Sequence, residues 1–270
     1  MNRLPLVKYE YTLLFAQTTY LHPFIGNTIR GALGQALYDN SHITYDAIFK
    51  TTSAESQPNP FTISAPYPSK RTYAAGETLK FSLTLFGSAC DYEYEITESM
   101  QHMCKGKLKD ARLSDAECIY AREWTDDGAD AIPLCEILTI DFLTPTEILA
   151  SKKPVREISF NTFIDSLFGR ISTIIDNYTP AEFILPYSLI SKRPLVTAEY
   201  DLTPIDIQTN GQQICGVIGA VKYLGDVTRY LPYIDLGTQI HIGKKTTRTC
   251  GEYAISIPPL SLSSSSKTAT

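Results

Sequence analysis

Histidine is the side chain that exchanges its proton near neutral pH, and the chain has four: His22, His42, His102 and His241. Two of them flank one segment, His22-Pro-Phe-Ile-Gly-Asn-Thr-Ile-Arg-Gly-Ala-Leu-Gly-Gln-Ala-Leu-Tyr38, with His42 just beyond it. Inside that segment Ile25, Ile29, Leu33 and Leu37 recur every fourth position beside Ala32 and Ala36, the apolar stripe of a helix lying on a core. Gly31 and Gly34 interrupt it. Each costs about 1 kcal/mol relative to alanine in a helix interior, so something is expected to come close to that backbone. Arg30 lies on the same helix. Two histidines and a cation around a glycine-bearing helix make a candidate site; a helix that merely packs is the alternative.

A second glycine-bearing stretch runs Leu236-Gly-Thr-Gln-Ile-His-Ile-Gly-Lys-Lys-Thr-Thr-Arg-Thr-Cys-Gly-Glu-Tyr253. Gly237, Gly243 and Gly251 bracket Lys244, Lys245 and Arg248, with hydroxyls at Thr246, Thr247 and Thr249. Backbone amides freed by glycine turns, with clustered cations and hydroxyls, suit a phosphate chain. A hairpin with solvated lysines is the plainer alternative. The spacing fits neither a mononucleotide P-loop nor a dinucleotide fingerprint, which leaves a phosphodiester backbone or an anionic loop as ligand. Lys105, Lys107, Lys109 and Arg112 form another basic cluster, which together with the first would make a local positive path.

The totals limit what such a path can be. A formal charge of -5 excludes a protein coated in basic surface, so any nucleic acid must be met locally. A hydrophobic share of 43% and a charged share of 20% allow a real core and exclude global disorder. The six cysteines include no CxxC pair and no histidine at metal-ligand spacing; they read as free, mostly buried thiols in a reducing compartment, with no metal or cofactor expected. The first residues lack the pattern of a signal peptide, and no apolar run approaches the roughly 20 residues of a membrane span. The cytoplasm is the expected address, with no membrane partner.

The elements that must position these residues follow from periodicity. Residues 4–16 read as a strand, followed by the helix just described. Residues 40–60 read as a loop, with a short buried turn over Tyr45-Asp-Ala-Ile-Phe49. Strands over 61–65 and 78–86, a helix over 92–103 and a strand over 111–121 complete the order β-α-β-β-α-β. The acidic segment from Trp124 to Asp130 is the expected boundary. A strand over 134–143 ended by Thr-Pro, a long amphipathic helix over 157–178, and strands over 195–208 and 213–224 joined by Asn210-Gly211 follow. A short helix over 227–234, weakened by Pro232, and a strand over 253–257 repeat the order. The expected fold is α+β: two tandem ferredoxin-like domains with antiparallel sheets. They are 1–124, a linker 125–133, and 134–260 with the glycine-bearing basic loop 237–251; the low-complexity tail 261–270 is expected to be disordered.

In several ordered segments the chain resembles the CRISPR-associated endoribonucleases that cut precursor CRISPR RNA within its repeats, members of the repeat-associated mysterious protein (RAMP) superfamily. The segments are Phe24-Ile-Gly-Asn-Thr-Ile-Arg-Gly-Ala-Leu-Gly34, Tyr45-Asp-Ala-Ile-Phe49, Pro60-Phe61 with Gly76 and Leu83-Thr-Leu-Phe-Gly87, Phe142-Leu-Thr-Pro145, Arg170-Ile-Ser172, and Ile240-His-Ile-Gly-Lys-Lys-Thr246 to Gly251. The resemblance implies metal-independent cleavage in which a ribose 2′-hydroxyl attacks the neighbouring phosphorus, giving a 2′,3′-cyclic phosphate and a 5′-hydroxyl. Such a reaction needs a base, an acid and positive charge near the phosphate.

In many relatives the catalytic histidine lies at or just after the end of the first helix, which on this sequence is His42. Tyr38, one turn earlier, would orient it or donate a proton, with an amphipathic helix residue as the alternative, and Lys50 would stabilise charge, with a solvated lysine as the alternative. His22 is the second candidate; its alternative is a ring that packs on Pro23 and orders the turn. His241, between two isoleucines, reads as structural, and His102 as a cation favourable to a helix end. Arg30, Lys244, Lys245, Arg248, Lys105 and Lys107 are the implied RNA contacts, with a carboxylate partner as the alternative for Arg30. Lys245 and Thr249 stand where the family's C-terminal loop has glycine, and only Gly106 remains of an often paired-glycine turn. The implied partners are CRISPR repeat RNA and other subunits of a CRISPR effector complex, the protein itself being a monomer or homodimer. The alternative activity is a non-catalytic RNA-binding subunit, and a scaffold with no nucleic-acid role is a remoter one.

Overall fold

In the computed structural model, residues 2–50, 57–127, 132–191, 193–209 and 212–258 are described. The first half is laid around strand β1 (Arg3–Phe15), whose Leu4, Leu6, Tyr11, Leu13 and Phe15 are fully buried. β1 pairs antiparallel with β5 (Thr78–Phe86) on one side and β6 (Ala111–Thr125) on the other. β3 (Phe61–Ser64) adds outside β5, giving the order β3-β5-β1-β6. A short pair, β2 (Thr19–Tyr20) with β4 (Thr72–Tyr73), stands apart from this sheet. Helices α1 (Gly26–Asn40), α2 (His42–Phe49) and α3 (Glu93–Met100) cover the half, and Ile25, Ile29, Leu33 and Leu37 enter its core with Phe61, Leu83 and Ile96.

In the second half β7 (Ile137–Thr146) lies between β11 (Gln212–Leu224) and β12 (Tyr253–Ser256), with β10 (Thr197–Thr209) outermost, so the order is β10-β11-β7-β12. β8 (Leu149–Ala150) and β9 (Lys153–Pro154) form a small hairpin. Helices α4 (Phe160–Tyr178), α5 (Tyr187–Ser191) and α6 (Leu231–Ile240) complete the half. α4 starts at Ser159, whose side chain accepts from the Thr162 N–H, and all the apolar residues that announced it, from Ile158 to Ile175, are buried.

The two halves share a core. Leu4, Leu6, Phe86 and Trp124 of the first half are buried among α4, α6 and the second sheet. At about 1.5–3 kcal/mol for each fully buried large apolar side chain, this seam is a substantial part of the stability. Trp124 Nε1 also donates to the Pro232 carbonyl, Tyr178 Oη to that of Pro58, and Thr62 Oγ1 to that of Gln239.

Five local expectations change. α1 begins at Gly26, not His22. His42 is not in a loop: Ser41 ends α1 and caps α2, accepting from the Thr44 N–H, so the buried turn at 45–49 is part of a helix that His42 starts. Trp124 and Thr125 belong to β6, because the indole is buried instead of opening a linker. Thr144-Pro145 does not end β7; β12 pairs only as far as Phe142, so Pro145 lies past that ladder and needs no N–H for it. Pro232 begins α6 instead of weakening it, since its fixed φ suits the first helical turn. Leu236 to Ile240 are therefore helical, and the basic loop begins only at His241. The Asn210-Gly211 turn and the tail from 261 lie outside the described residues, although Thr209 pairs with Gln212 on either side of that turn. All six cysteines are free, but only Cys135 and Cys250 are buried, the others lying at positions that solvent reaches, and among the described residues no helix is long and apolar enough to cross a membrane.

Candidate nucleic-acid interface and proton-transfer pair

The basic loop closes on itself. The Ile242 N–H donates to the Gly251 carbonyl (2.9 Å), the Gly251 N–H to Pro145 (3.1 Å) and the Lys244 N–H to Glu147 (3.1 Å), around a 3-10 turn at Thr246–Arg248. Gly243 and Gly251 both have φ +75, and Lys245 and Thr249, standing where glycine was expected, have φ +61 and +63. The loop thus keeps its left-handed corners without the two glycines, at about 1–2 kcal/mol per residue. His241 secures its base. The buried ring faces the Cys250 carbonyl through Nδ1 (3.2 Å), which must donate there, so Nε2 accepts from Ser64 Oγ (3.1 Å). Burial, then the Arg170 charge, push its pKa down to about 3, so it is a neutral structural histidine.

α1 meets this loop end-on. A Cβ on Gly26 would lie 2.2 Å from the Arg248 carbonyl oxygen, so only glycine admits the approach. Arg248 Nη1 donates to Asn27 Oδ1 (3.2 Å). Arg30 Nε donates to Thr247 Oγ1 (3.1 Å), and its guanidinium lies over the Phe49 ring, 5.0 Å from the centroid. Lys245 Nζ pairs with Glu147 (2.6 Å). Arg30, Arg170, Lys244, Lys245 and Arg248, with Asn59, line a cavity of about 580 Å³ that no carboxylate lines among the described residues. Burial, then the Arg248 charge, lower the Arg30 pKa, and burial lowers that of Arg248.

The structure therefore brings Arg30, Lys244, Lys245 and Arg248 together. It leaves Lys105 and Lys107 apart, in a shallower groove of about 240 Å³ on the exposed side of α1 with Asn27, Thr28, Gly31 and Gln35; Lys105 Nζ holds Asp39 (2.6 Å). The two interior glycines differ as well. A Cβ on Gly34 would meet the Phe49 ring at 3.2 Å, whereas one on Gly31 would meet nothing within 4 Å.

At the far end of α1 the exposed His42 ring packs edge-on against Tyr38, centroids 4.5 Å apart. Tyr38 packs on Tyr45 (5.3 Å), and Tyr45 stacks on Phe49 (5.4 Å), the ring that Arg30 covers. A row of aromatic rings thus links His42 to the cationic cavity. Lys50, just past α2, pairs with Asp46 (2.7 Å) in full solvent. His22 is exposed, and its Nδ1 accepts from the Phe24 N–H (3.0 Å), ordering the turn into α1. His102 sits exposed beyond α3. Arg170 was not among the expected site residues, although the Arg-Ile-Ser segment marked it. Its Nε donates to the Ile240 carbonyl (2.8 Å) and its Nη2 to Thr246 Oγ1 (2.9 Å).

Two four-stranded antiparallel sheets in tandem, with a basic loop closed against the first helix, make a fold of two ferredoxin-like halves. Residues 140–253 match the family model of the CRISPR-associated endoribonuclease Cas6, and residues 4–116 match AF_1859_N, described as an N-terminal domain. The first of these matches makes residues 140–253 similar to the Cas6 family. No curated protein matches the sequence. Among solved structures, Thermus thermophilus Cas6 (TTHB231) is similar at 16% identity and a TM-score of 0.64, over 94% of this chain and 99% of that one. The Cas6 (TTHB231) product complex gives 14%, 0.66, 93% and 99%. A partial Cas6-RT-Cas1–Cas2 complex gives 11% and 0.68, over 94% of this chain and 46% of that one. At these identities the likeness is one of fold.

Proposed function

We propose that the protein is a CRISPR RNA-processing endoribonuclease that cuts precursor RNA in its repeats by attack of a 2′-hydroxyl on the adjacent phosphate, without a metal, leaving 2′,3′-cyclic phosphate and 5′-hydroxyl ends. The observation that carries this reading is the convergence of Arg30, Lys244, Lys245 and Arg248 on one cavity that no carboxylate of the described residues lines, at one end of α1, with the exposed Tyr38–His42 pair at the other. His42 moves the proton at the 2′-hydroxyl or at the leaving 5′-oxygen, and Tyr38 sets its ring. The cavity cations hold backbone phosphates, Lys105 and Lys107 continue the track along α1, and Lys50 exchanges Asp46 for the reacting phosphate. His22 is the lesser candidate, because its Nδ1 is occupied by the Phe24 N–H. Segment 1–124 supplies the proton-transfer pair and segment 134–260 the loop. The partners are repeat RNA and other CRISPR proteins in the cytoplasm, and the protein acts as a monomer or homodimer.

The test is incubation with its own repeat RNA in EDTA, beside the same RNA with a 2′-deoxy sugar at the scissile position. Cleavage of the first alone supports the reading. Tight binding of both with no cleavage would make the protein a non-catalytic RNA-binding subunit, and no salt-sensitive binding at all would remove it from RNA chemistry.

A further inference from the structure

Two consecutive hydroxyls in the turn of the basic loop are gripped from opposite halves of the molecule. Arg30 of α1 donates to Thr247 Oγ1, and Arg170 of α4 donates to Thr246 Oγ1 while its Nε closes on the carbonyl of Ile240, the last residue of α6. A guanidinium has five N–H donors, and Arg170 engages two of them. Its side chain lines the 580 Å³ cavity with four other cations, and no buried side-chain nitrogen in the described residues lacks a partner, so Nη1, which neither bond uses, is reached by solvent.

A clamp alone would not need this charge. Arg170 meets no carboxylate among the described residues, and withdrawal from water pushes its pKa down to about 9. Holding a half-buried guanidinium beside like charges with no carboxylate is unfavourable unless a ligand supplies the opposite charge. Lys245 has Glu147; among the described residues the cavity supplies Arg170 with no such group.

We infer that Arg170 is a phosphate-binding residue: pinned by Ile240 and Thr246, it holds a phosphodiester oxygen of a strand that Arg30 and Lys244 hold from the other side of the cavity. The planar fork matters, since two donors are fixed by the protein while others face the ligand, which a lysine cannot reproduce. The assignment rests on the RNA reading above, but the phosphate site it describes does not depend on cleavage.

The experiment uses the full chain and a non-cleavable 2′-deoxy repeat RNA, with affinity measured across salt concentrations, and a thermal-shift titration with inorganic tripolyphosphate. In Arg170→Gln the slope of log affinity against log salt is expected to become shallower by about 0.7, the loss of one single-strand phosphate contact, and the tripolyphosphate-induced rise in Tm to disappear. A purely structural Arg170 would lower the Tm of the free variant and leave both the slope and the tripolyphosphate shift intact, which overturns the proposal. If Arg170→Gln does not fold, Arg170→Lys carries the test: it retains the charge and loses the fork, so the slope should persist while affinity falls at least fivefold, and unchanged affinity overturns the assignment. A tripolyphosphate shift that depends on Arg170, with an RNA slope that does not, would overturn the RNA strand as the ligand and leave a free oligophosphate. If wild type binds no RNA but keeps that shift, the RNA reading fails and the phosphate site stands.

Discussion

The two ends of α1 are built by opposite means. At the N-terminal end, Gly26 is pressed against the Arg248 carbonyl and cations from α1, α4 and the basic loop crowd one cavity; the bond from Arg30 to Thr247 spans 217 residues. At the C-terminal end, Tyr38 and His42 sit four residues apart, exposed, on either side of the Ser41 cap. One end gathers charge through tertiary structure, and the other places the candidate histidine by local turn chemistry. Binding and chemistry should therefore be separable by mutation, even though one helix and one aromatic row join them.

The comparison breaks most decisively at His42. His42→Ala should lower the cleavage rate at least about a hundredfold while RNA affinity stays within twofold; a variant that keeps its rate, with the loss appearing in His22→Ala, would move the chemistry to the other end of the helix. Gly26→Ala should act in reverse. Its Cβ must displace the Arg248 backbone, so RNA affinity should fall at least about tenfold together with a lower Tm, consistent with steric strain of about 1–3 kcal/mol, and normal binding would show that the helix–loop contact is dispensable.

Acid should undo the loop from its base. Folded His241 stays neutral to about pH 3, whereas the unfolded chain takes up that proton from about pH 6.5, so stability is full above that value and declines as pH falls through the interval. In His241→Gln, denaturation midpoints measured between pH 7 and pH 4 should fall less steeply than in wild type. A double Lys244→Ala, Lys245→Ala variant should reduce the salt slope of single-strand binding by about 1.4, two contacts of about 0.7 each. The smallest effect belongs to Gly31→Ala, where no atom obstructs the new methyl; thermal unfolding should show a gain of up to about 1 kcal/mol, and a loss would mean that the exposed groove needs its backbone bare.

Much of the fold was legible because it is local. The nine apolar residues from Ile158 to Ile175 lie at helical spacing and are all buried, and the hairpin flanking Asn210-Gly211 pairs in register. Pro232 and Trp124 misled for a physical reason: proline's meaning depends on where a helix starts, and an indole beside acidic turn residues reads as surface until the second half covers it. At the candidate site, spacing marked the two histidines that flank the first helix, and the family resemblance singled out His42 with Tyr38. Arg170 could not be found so, since its partners Ile240 and Thr246 lie far along the chain. The lysine and threonine in place of glycine suggested a changed loop, yet both adopt positive φ, because the surrounding backbone hydrogen bonds hold the corners whichever side chain occupies them.

Those hydrogen bonds also bear on speed. With Ile242 tied to Gly251, Gly251 to Pro145 and His241 to Cys250, the entropy of ordering the loop is lost when the chain folds and not when a ligand arrives. Capture of a strand there involves no folding step, so its association rate should follow electrostatic encounter and drop with added salt, without the lag of a segment that must first find its shape.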